Sequence, residues 1–311
     1  MLSDNFIKIK KLRSAGNFAD ARALVASSRP DTDEDAFEAL VCFYCAGEFA
    51  DLLKFGRQHA WRLEWARKTS QAMAGIVTRK DPHAALSLAR EAINAPDANW
   101  DAVAVYLTLL QMNGLVDEAA RHIREHVQNP PAGEILLLTV MGEVATATND
   151  WMRAHSLALS VVAGSPHNTR ALVIASMASF EVGNIHESLG HAIHANKVSP
   201  QDQTAALQLM RCYNKLADFY SAIAAFNALS GQPGLLPEIH AQLGVAYARL
   251  GNVRRAVDAY RTALASGRHP LTAIRGLLKI HINSGAARER DALVNEYRED
   301  ILSDIESLGE L

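Results

Sequence analysis

Two short motifs combine residue types that could do chemistry at a close spacing. The sequence His122-Ile-Arg-Glu-His126 places two imidazoles one helical turn apart with the carboxylate of Glu125 beside them, which is the H-x-x-E-H arrangement of inverted zinc peptidases. A catalytic zinc site needs a third protein ligand and an open position in a cleft, and the sequence indicates neither. We therefore expect a partly buried histidine on a helix and no bound metal.

A second motif, Cys42-Phe-Tyr-Cys45, has C-x-x-C spacing. It has no second cysteine pair and lacks the strand and helix context of a thioredoxin-like site, so small buried thiols are expected. The chain also has no phosphate-binding glycine loop, no dinucleotide fingerprint and no G-x-S-x-G elbow. We therefore expect a protein that is not an enzyme and needs no cofactor. Three further histidines are expected on an exposed helix face: His186, His191 and His194.

The composition is that of an ordered protein without a strong charge bias. The 311 residues are 49% hydrophobic, carry a formal net charge of −3 and include three cysteines. This charge gives no overall attraction to nucleic acid or to acidic membranes, and three cysteines fit a reducing compartment. The first residues lack the pattern of a secretory signal, and no run of about 18 apolar residues predicts a membrane span. We expect a cytoplasmic protein with no nucleic-acid partner and no direct membrane insertion.

Glycine-like residues recur along the chain at a nearly fixed spacing. The intervals between successive positions are 31, 33, 34, 35 and then four times 34 residues. Asn or Asp follows in six of the nine cases, and an apolar residue usually comes next. This order indicates a helix that ends in a left-handed residue and an Asx cap that opens a second helix. The nine positions are Gly16, Gly47, Lys80, Gly114, Asn149, Gly183, Ala217, Gly251 and Gly285.

Small side chains occupy the fifth place after most of these positions. They let two antiparallel helices approach at the short end of the usual interaxial range of about 8–10 Å. Prolines lie near the ends of the second helices, as at Pro166, Pro200 and Pro270, because proline cannot continue a helix. The small residues are Ala21, Ala85, Ala119, Ala154, Ser188, Ala222 and Ala256.

This pattern resembles the tetratricopeptide repeat, a helix-turn-helix unit of about 34 residues. The resemblance covers nearly the whole chain and implies an all-α, right-handed α-solenoid, a superhelix in which neighbouring repeats bury each other's apolar faces. It implies a single domain over residues 1–311, with repeats starting near residues 2, 33, 66, 100, 135, 169, 203, 237 and 271 and a capping helix over about 299–308. The best match, Pro237–Pro270, has Leu243, Gly244, Tyr247, Gly251, Ala256, Tyr260 and Ala263 at the expected spacings.

The resemblance also implies that the first helix of each pair lines a concave groove. In the second to sixth repeats the implied groove positions are mostly apolar, and a large exposed apolar patch usually marks a contact surface for a peptide or helix. The open alternative is that tight superhelical curvature buries these side chains against neighbouring first helices. The apolar groove candidates are Phe37, Val41, Tyr44, Met112, Val140, Val173, Met177 and Phe180.

In the last third of the chain the implied groove positions become polar and basic. Repeated cations on one concave wall suit an acidic or otherwise anionic segment of another protein, and a solvated charged face is the alternative. Leu207 and Arg211 stand where the carboxylate clamp of some tetratricopeptide proteins has Lys and Asn, so that clamp is not expected. The basic groove candidates are Arg170, Gln208, Arg211, Asn214, Lys215, Gln242, Arg249, Arg275, Lys279 and Asn283.

The expected function is a non-enzymatic scaffold or adaptor that binds a segment of a partner protein in the groove, by analogy of fold. Two alternatives stay open. The protein could assemble head to tail if its acidic C-terminal segment enters the basic groove of the next molecule. It could also be an accessory subunit of a bacterial machinery for envelope polysaccharide assembly or secretion. The acidic residues of that segment are Glu299, Asp300, Asp304, Glu306 and Glu310.

Overall fold

The computed structural model describes residues 2–229, 231–265 and 270–302, and every regular element in these ranges is an α-helix. The helices of the described ranges are α1 (Asp4–Ser14), α2 (Phe18–Ser27), α3 (Asp33–Cys45), α4 (Phe49–Gln58), α5 (Glu64–Thr78), α6 (Pro82–Ile93), α7 (Trp100–Met112), α8 (Val116–His126), α9 (Ile135–Ala147), α10 (Trp151–Gly164), α11 (Thr169–Glu181), α12 (Ile185–Val198), α13 (Gln203–Lys215), α14 (Phe219–Leu229), α15 (Pro237–Arg249), α16 (Val253–Leu264), α17 (Leu271–Asn283) and α18 (Ala287–Glu296).

The helices follow one another as consecutive pairs, and the odd-numbered helix is the first of each pair. The first helices begin at residues 4, 33, 64, 100, 135, 169, 203, 237 and 271. Seven of these starts coincide with the repeat starts expected from the sequence, and the other two differ from them by two residues. The period of the sequence is therefore the period of the helix pairs, because a left-handed turn recurs between the two helices of each pair.

The turn inside each pair has the backbone that the glycine-like positions predict. Eight of the nine positions have a left-handed φ, and near the ninth, Lys80, the flanking Arg79 and Asp81 adopt it instead. Ala217 has a φ of 59°, which its Cβ disfavours. Five of the six expected Asx caps accept a hydrogen bond from the backbone N–H three residues later, whereas the side chain of Asn184 does not. The five caps are Asn17, Asp81, Asp150, Asp218 and Asn252.

The small residues after the turns lie where paired helices are closest. All seven are buried. A Cβ added to Gly75 of α5 would lie 2.5 Å from the Cβ of Ala85 of α6, so this pair has no room for a larger side chain at the contact. In the last pair the corresponding position holds Arg290, whose side chain is 43% exposed and pairs with Asp291 at 2.6 Å. An arginine is tolerated there because it turns away to the surface.

The chain divides into two compact units, Met1–Ala178 and Ser179–Leu311, and the division falls within α11. The domain expected over residues 1–311 thus contains two such units. In the first unit the first helices α3, α5, α7 and α9 pack on one another in sequence. Their apolar side chains join one core, in which the rings of Phe37 and Trp65 meet edge to face with centroids 5.0 Å apart.

Buried ion pairs hold helix α1 against other helices of the first unit. Arg13 donates from Nε and Nη2 to the two carboxylate oxygens of Glu38 at 2.6 and 3.0 Å, and Nη2 also donates to Asp101 at 3.1 Å. Burial acts against the charged guanidinium, but Asp101 and Glu38 nevertheless raise the pKa of Arg13 well above its ordinary value. Lys10 pairs with Glu134, just before α9, at 2.8 Å. The first helix pair therefore contacts the start of the fifth.

In the second unit, Tyr260 of α16 fills the space between the first helices α15 and α17. A Cβ added to Gly244 of α15 would lie 2.5 Å from the ring, and one added to Gly276 of α17 would overlap the ring and lie 2.6 Å from the hydroxyl oxygen. The ring is only 2% exposed. The two glycines therefore form the slot that holds Tyr260.

The capping helix expected over about 299–308 is described only as far as Leu302. Residues 298–302 are helical, and Ile301 packs against the core of the second unit. The two other apolar positions of the expected stripe, Ile305 and Leu308, lie outside the described residues. None of the helices in the described ranges combines the length and the apolar composition needed to cross a bilayer.

Candidate functional site

Half of the eight apolar groove candidates are interior. The expectation of an open groove is corrected for Phe37, Val41, Val140 and Val173, which are at most 6% exposed. The physical reason is curvature, since consecutive first helices approach closely enough to enclose Phe37, Val41 and Val140 in one packed core. Three candidates are half-buried and Met112 is 41% exposed. The half-buried candidates are Tyr44, Met177 and Phe180.

Four of the basic groove candidates form a hydrogen-bonded network in the second unit. Arg211 donates to Gln208 at 3.1 Å and to Glu181 at 2.8 Å, and its guanidinium lies 4.5 Å from the centroid of the Phe180 ring. Asn214 donates to the backbone oxygen and the side-chain oxygen of Gln242 at 2.9 and 3.0 Å. Gln208 itself is 3% exposed. These side chains join α11, α13 and α15 to one another, although Nε2 of Gln208 and Oδ1 of Asn214 are buried and have no hydrogen-bond partner among the described residues.

Arg170 does not join that network. It belongs to the first unit, where its Nε and Nη2 donate to the two carboxylate oxygens of Glu143 at 2.8 and 2.7 Å. A bidentate pair of this kind satisfies the guanidinium fork and neutralises its charge. Lys215 is exposed at the end of α13, and it does not line the cavity that the remaining candidates share.

The last four basic groove candidates converge in the second unit. Arg249 of α15 and Arg275, Lys279 and Asn283 of α17 line one open cavity of about 550 Å³ together with Tyr260. We call these five residues the basic cleft. All except Tyr260 are exposed. The lining contains three cations and no acidic residue, so the cleft carries a local positive potential although the chain as a whole has a net charge of −3.

Tyr260 is the member of the cleft that the sequence did not suggest. In the sequence it is one of the expected positions of the best-matching repeat; its ring packs against Gly244 and Gly276, and its hydroxyl end lies beside Gly276, which lines the cleft. Burial raises the pKa of Tyr260 to about 12, although Arg249 acts in the opposite direction. The hydroxyl group therefore stays protonated at neutral pH and can donate a hydrogen bond. The signal in the sequence was a glycine at position 276 in addition to Gly244, because both leave room for the Tyr260 ring.

A second cavity of the same unit has a different character. It has a volume of about 600 Å³ and lies between α16, α17 and α18. Arg261 lines it together with Glu289 and Glu296, so acidic and basic groups occupy the same space. This mixed lining gives no selection for a ligand of one charge, whereas the basic cleft does.

The two motifs that could do chemistry belong to the first unit and are not part of the basic cleft. His122 packs edge to face on Tyr106 with centroids 5.1 Å apart, and burial and His126 lower its pKa. His126 is 62% exposed, so the expectation of a partly buried histidine fits His122 alone. Burial raises the pKa of Cys42 to about 12 and also raises that of Cys45. Both thiols are therefore protonated at neutral pH and poorly nucleophilic.

The similarities to known proteins are structural. No protein-family model matches the sequence, and no curated protein matches it. The chain is similar to a solved structure of the APC/C hetero-tetramer Cut9-Hcn1, with 15% identity, a TM-score of 0.71, and 86% of this chain and 53% of that chain covered. It is also similar to a human IFIT1 dimer with PPP-AAAA, with 14% identity, a TM-score of 0.61, and 91% of this chain and 76% of that chain covered. A third similar structure is a tetratricopeptide repeat protein from Parabacteroides merdae, with 14% identity, a TM-score of 0.52, and 88% of this chain and 98% of that chain covered.

These similarities and the recurring helix pairs define the class of protein. The chain has an all-α solenoid fold built from helix-turn-helix repeats, and it spans about half the length of the Cut9-Hcn1 chain that it matches. The repeats are of the tetratricopeptide type, which confirms the fold and the resemblance predicted from the sequence.

Proposed function

We propose that this protein is a non-enzymatic interaction scaffold that binds an acidic segment of a partner protein in the basic cleft. The observation that carries the proposal is the lining of the cleft, where three cations and no acid surround one open cavity. A cleft lined by charges of one sign concentrates counter-charged ligands and speeds their association. The fold supports the proposal in general terms, since helical-repeat surfaces commonly serve as binding faces.

The cations of the cleft differ from those that stabilise the fold. Arg170 and Arg211 each have a carboxylate partner within 2.8 Å. In the part of the chain that the structure describes, Arg249 and Lys279 have no carboxylate partner. Two exposed cations without such partners are available to an external acid.

RNA is the competing anionic partner, because human IFIT1 is recorded with PPP-AAAA. Single-stranded nucleic acid usually binds through aromatic faces on which bases stack, along a basic groove. The aromatic ring in the cleft lining is that of Tyr260, and it is only 2% exposed, so a base cannot stack on it. A carboxylate needs cations and hydrogen-bond donors alone, which the cleft supplies, so we favour an acidic protein segment.

The test measures binding of fluorescein-labelled poly-glutamate by fluorescence anisotropy at two salt concentrations. The variant Arg249→Glu/Lys279→Glu is compared with Arg254→Glu/Arg288→Glu, which makes the same change in net charge at exposed positions outside the cleft. We expect the cleft variant to bind at least tenfold more weakly, the control to bind within about twofold of the native chain, and binding to weaken with salt. Equal losses in both variants, or tighter binding of an oligo(A) RNA than of poly-glutamate, would refute the proposal.

The alternatives considered from the sequence remain hypotheses. Head-to-tail assembly requires the mass of the full chain to rise with concentration, which light scattering measures directly. A chain ending at Leu302 provides the comparison, because it lacks three of the five acidic residues of the C-terminal segment. A single monomer mass over the concentration range for both chains would exclude assembly. A role in envelope polysaccharide assembly or secretion and a location in the cytoplasm also remain hypotheses.

A further inference from the structure

An internal contact between three side chains joins two first helices of the second unit. Phe180 and Glu181 are the twelfth and thirteenth residues of α11, and Arg211 is the ninth residue of α13. The Arg211 guanidinium pairs with Glu181 at 2.8 Å and lies 4.5 Å from the centroid of the Phe180 ring. A carboxylate and an aromatic face both attract a cation. Two adjacent residues of one first helix therefore bind a cation of the next.

Two repeats later, the same three places lie at the basic cleft. They hold Ala248 and Arg249 of α15 and Lys279 of α17, and all three line the cavity. The methyl group of Ala248 replaces the ring of Phe180, and the cation of Arg249 replaces the carboxylate of Glu181. In the described part of the chain, Lys279 has neither a carboxylate partner nor a ring contact. It therefore lacks both groups that bind the cation of the earlier pair.

The carboxylate site is assigned to two of the three cations in the cleft. Arg275 already has an interaction within the chain. Arg249 and Lys279 have no carboxylate partner among the described residues, and as like charges that line one cavity they repel each other. An outside carboxylate that contacts both reduces this repulsion. It does for Lys279 what a carboxylate of the chain does in the earlier pair.

The cleft has apolar walls as well as cations. Val245 of α15, Val253 of α16 and Ile280 of α17 line the same cavity as Ala248. Val253 is 51% exposed, and the other two are half-buried. Pockets with apolar walls and a few charged groups bind an apolar group by burial and orient it through the charges. The cleft therefore has room for an apolar side chain in addition to a carboxylate.

We infer that the basic cleft recognises an acidic residue of the partner segment together with a large apolar residue directly beside it in sequence. The carboxylate pairs with Arg249 and Lys279, and the apolar side chain packs on Ala248 and its apolar neighbours. An aromatic side chain is favoured, because its face also attracts the Lys279 ammonium. The adjacent Phe180 and Glu181 are the internal counterpart. The inference rests on the proposed function and makes it specific, since charge alone does not select the apolar neighbour.

The first experiment compares three labelled peptides of equal charge by fluorescence anisotropy with the full-length protein. GGGFEEEEG has phenylalanine beside the first glutamate, GFGGEEEEG has the same residues with two glycines between them, and GGGSEEEEG has serine in place of phenylalanine. We expect the first peptide to bind about tenfold more tightly than the third, because burial of a phenylalanine side chain contributes on this order. It should bind roughly threefold more tightly than the second. Equal binding of the first peptide and either of the others would overturn the inference.

The second experiment fills the apolar part of the cleft with a side chain of the protein. The variant Ala248→Phe places a ring where the earlier pair has Phe180. We expect it to bind the phenylalanine and serine peptides equally, because the place of the ring is taken, and to bind the serine peptide within about threefold of the native chain. The control Ala287→Phe adds the same side chain at an exposed position of α18 outside the cleft. It should keep the tenfold preference, and a variant Ala248→Phe that also keeps it would contradict the inference.

The double variant Ala248→Phe/Arg249→Glu reproduces both internal groups of the earlier pair. We expect it to bind all three peptides at least tenfold more weakly. It should also raise the Tm of the second unit by about 2–4 °C in scanning calorimetry, because an internal ion pair replaces repulsion. A double variant that loses binding with an unchanged or lower Tm would contradict the comparison between repeats.

The chain has an apolar residue between two acids of its own, Asp304-Ile305-Glu306, outside the described residues. The full-length variant Asp304→Ser/Ile305→Ser/Glu306→Ser therefore enters the peptide experiment beside the native chain. Peptide binding to this variant alone would assign the cleft to the protein's own C-terminal segment and overturn the inference of a separate partner. If no peptide and no poly-glutamate binds to either chain, the proposed function fails with the inference. If the three peptides bind equally and the Arg249→Glu/Lys279→Glu variant binds none of them, only the preference for an apolar neighbour fails.

Discussion

The buried charge cluster of the first unit makes a quantitative prediction about its stability. Arg13 pairs with both Glu38 and Asp101, and the side chains of all three are at most 4% exposed. The change Arg13→Met keeps most of the side-chain volume but leaves two buried carboxylates without a cation. Removal of one partner from a buried ion pair usually costs about 3–5 kcal/mol. We expect a loss in this range, because the side chains of both carboxylates are almost fully buried.

Urea denaturation followed by tryptophan fluorescence is the suitable assay, because all four tryptophans lie in the first unit. With a slope of about 2 kcal/mol per molar urea, the expected loss moves the midpoint down by roughly 1.5–2.5 M. The control is Arg22→Met, since Arg22 pairs with Glu48 at 2.7 Å but is 56% exposed, and such pairs contribute about 0–1 kcal/mol. The tryptophans are Trp61, Trp65, Trp100 and Trp151.

Two outcomes would refute the reasoning. One is a loss for Arg13→Met that is no larger than that for the exposed control. The other concerns the triple variant in which Glu38 and Asp101 are also replaced by apolar residues of similar size. Replacement of a whole buried charge cluster is often neutral or stabilising, so the triple variant should recover much of the stability that the single variant loses. A triple variant as unstable as the single one would place the effect in packing instead of charge.

Three further predictions concern single sites. Gly276→Ala should destabilise the second unit by about 1–3 kcal/mol in thermal unfolding, because the added Cβ overlaps the Tyr260 ring. The control Gly190→Ala, which adds a Cβ in open space on α12, should be neutral or stabilising in the same measurement. Burial raises the pKa of Glu38 above its ordinary 4.5 despite Arg13. The contribution of the protonated Glu38 to the free energy of unfolding is therefore fully present below pH 4.5 and is lost as the pH rises through the folded-state pKa. The stability of the native chain relative to Glu38→Gln should fall in that pH window, and a difference that does not change with pH would contradict the assignment. In a variant with the other cysteines replaced by serine, Cys42 should react with a thiol reagent at pH 8 at least a hundredfold more slowly in the folded protein than in urea. The reason is that its pKa of about 12 leaves little thiolate in the folded protein. Rapid labelling without denaturant would show that the thiol is accessible.

The sequence predicts the helix pairs well because their determinants are local. A left-handed residue, an Asx cap and a small residue five places later all act within one repeat, so the spacing of glycine-like residues is enough to place every first helix within two residues. The exposure of the groove positions is not local. Phe37 and Val140 are about a hundred residues apart and share one core, and the curvature that encloses them depends on the packing of all the intervening pairs. The charge cluster around Arg13 was missed for the same reason, since Asp101 lies 88 residues away.

The basic cleft could be predicted from the sequence only in part. The sequence placed cations in the groove of the last repeats, but it could not separate those with internal partners from those without, because the partners of Arg170 and Arg211 lie in the preceding repeat. Once the structure shows that the thirteenth place of one first helix meets the ninth place of the next, as for Glu181 and Arg211, the question can be asked of any two consecutive repeats. An acid at the thirteenth place of one first helix and a base at the ninth place of the next predict an internal ion pair. Two bases, as at Arg249 and Lys279, predict a place where an acid from another molecule stabilises the fold.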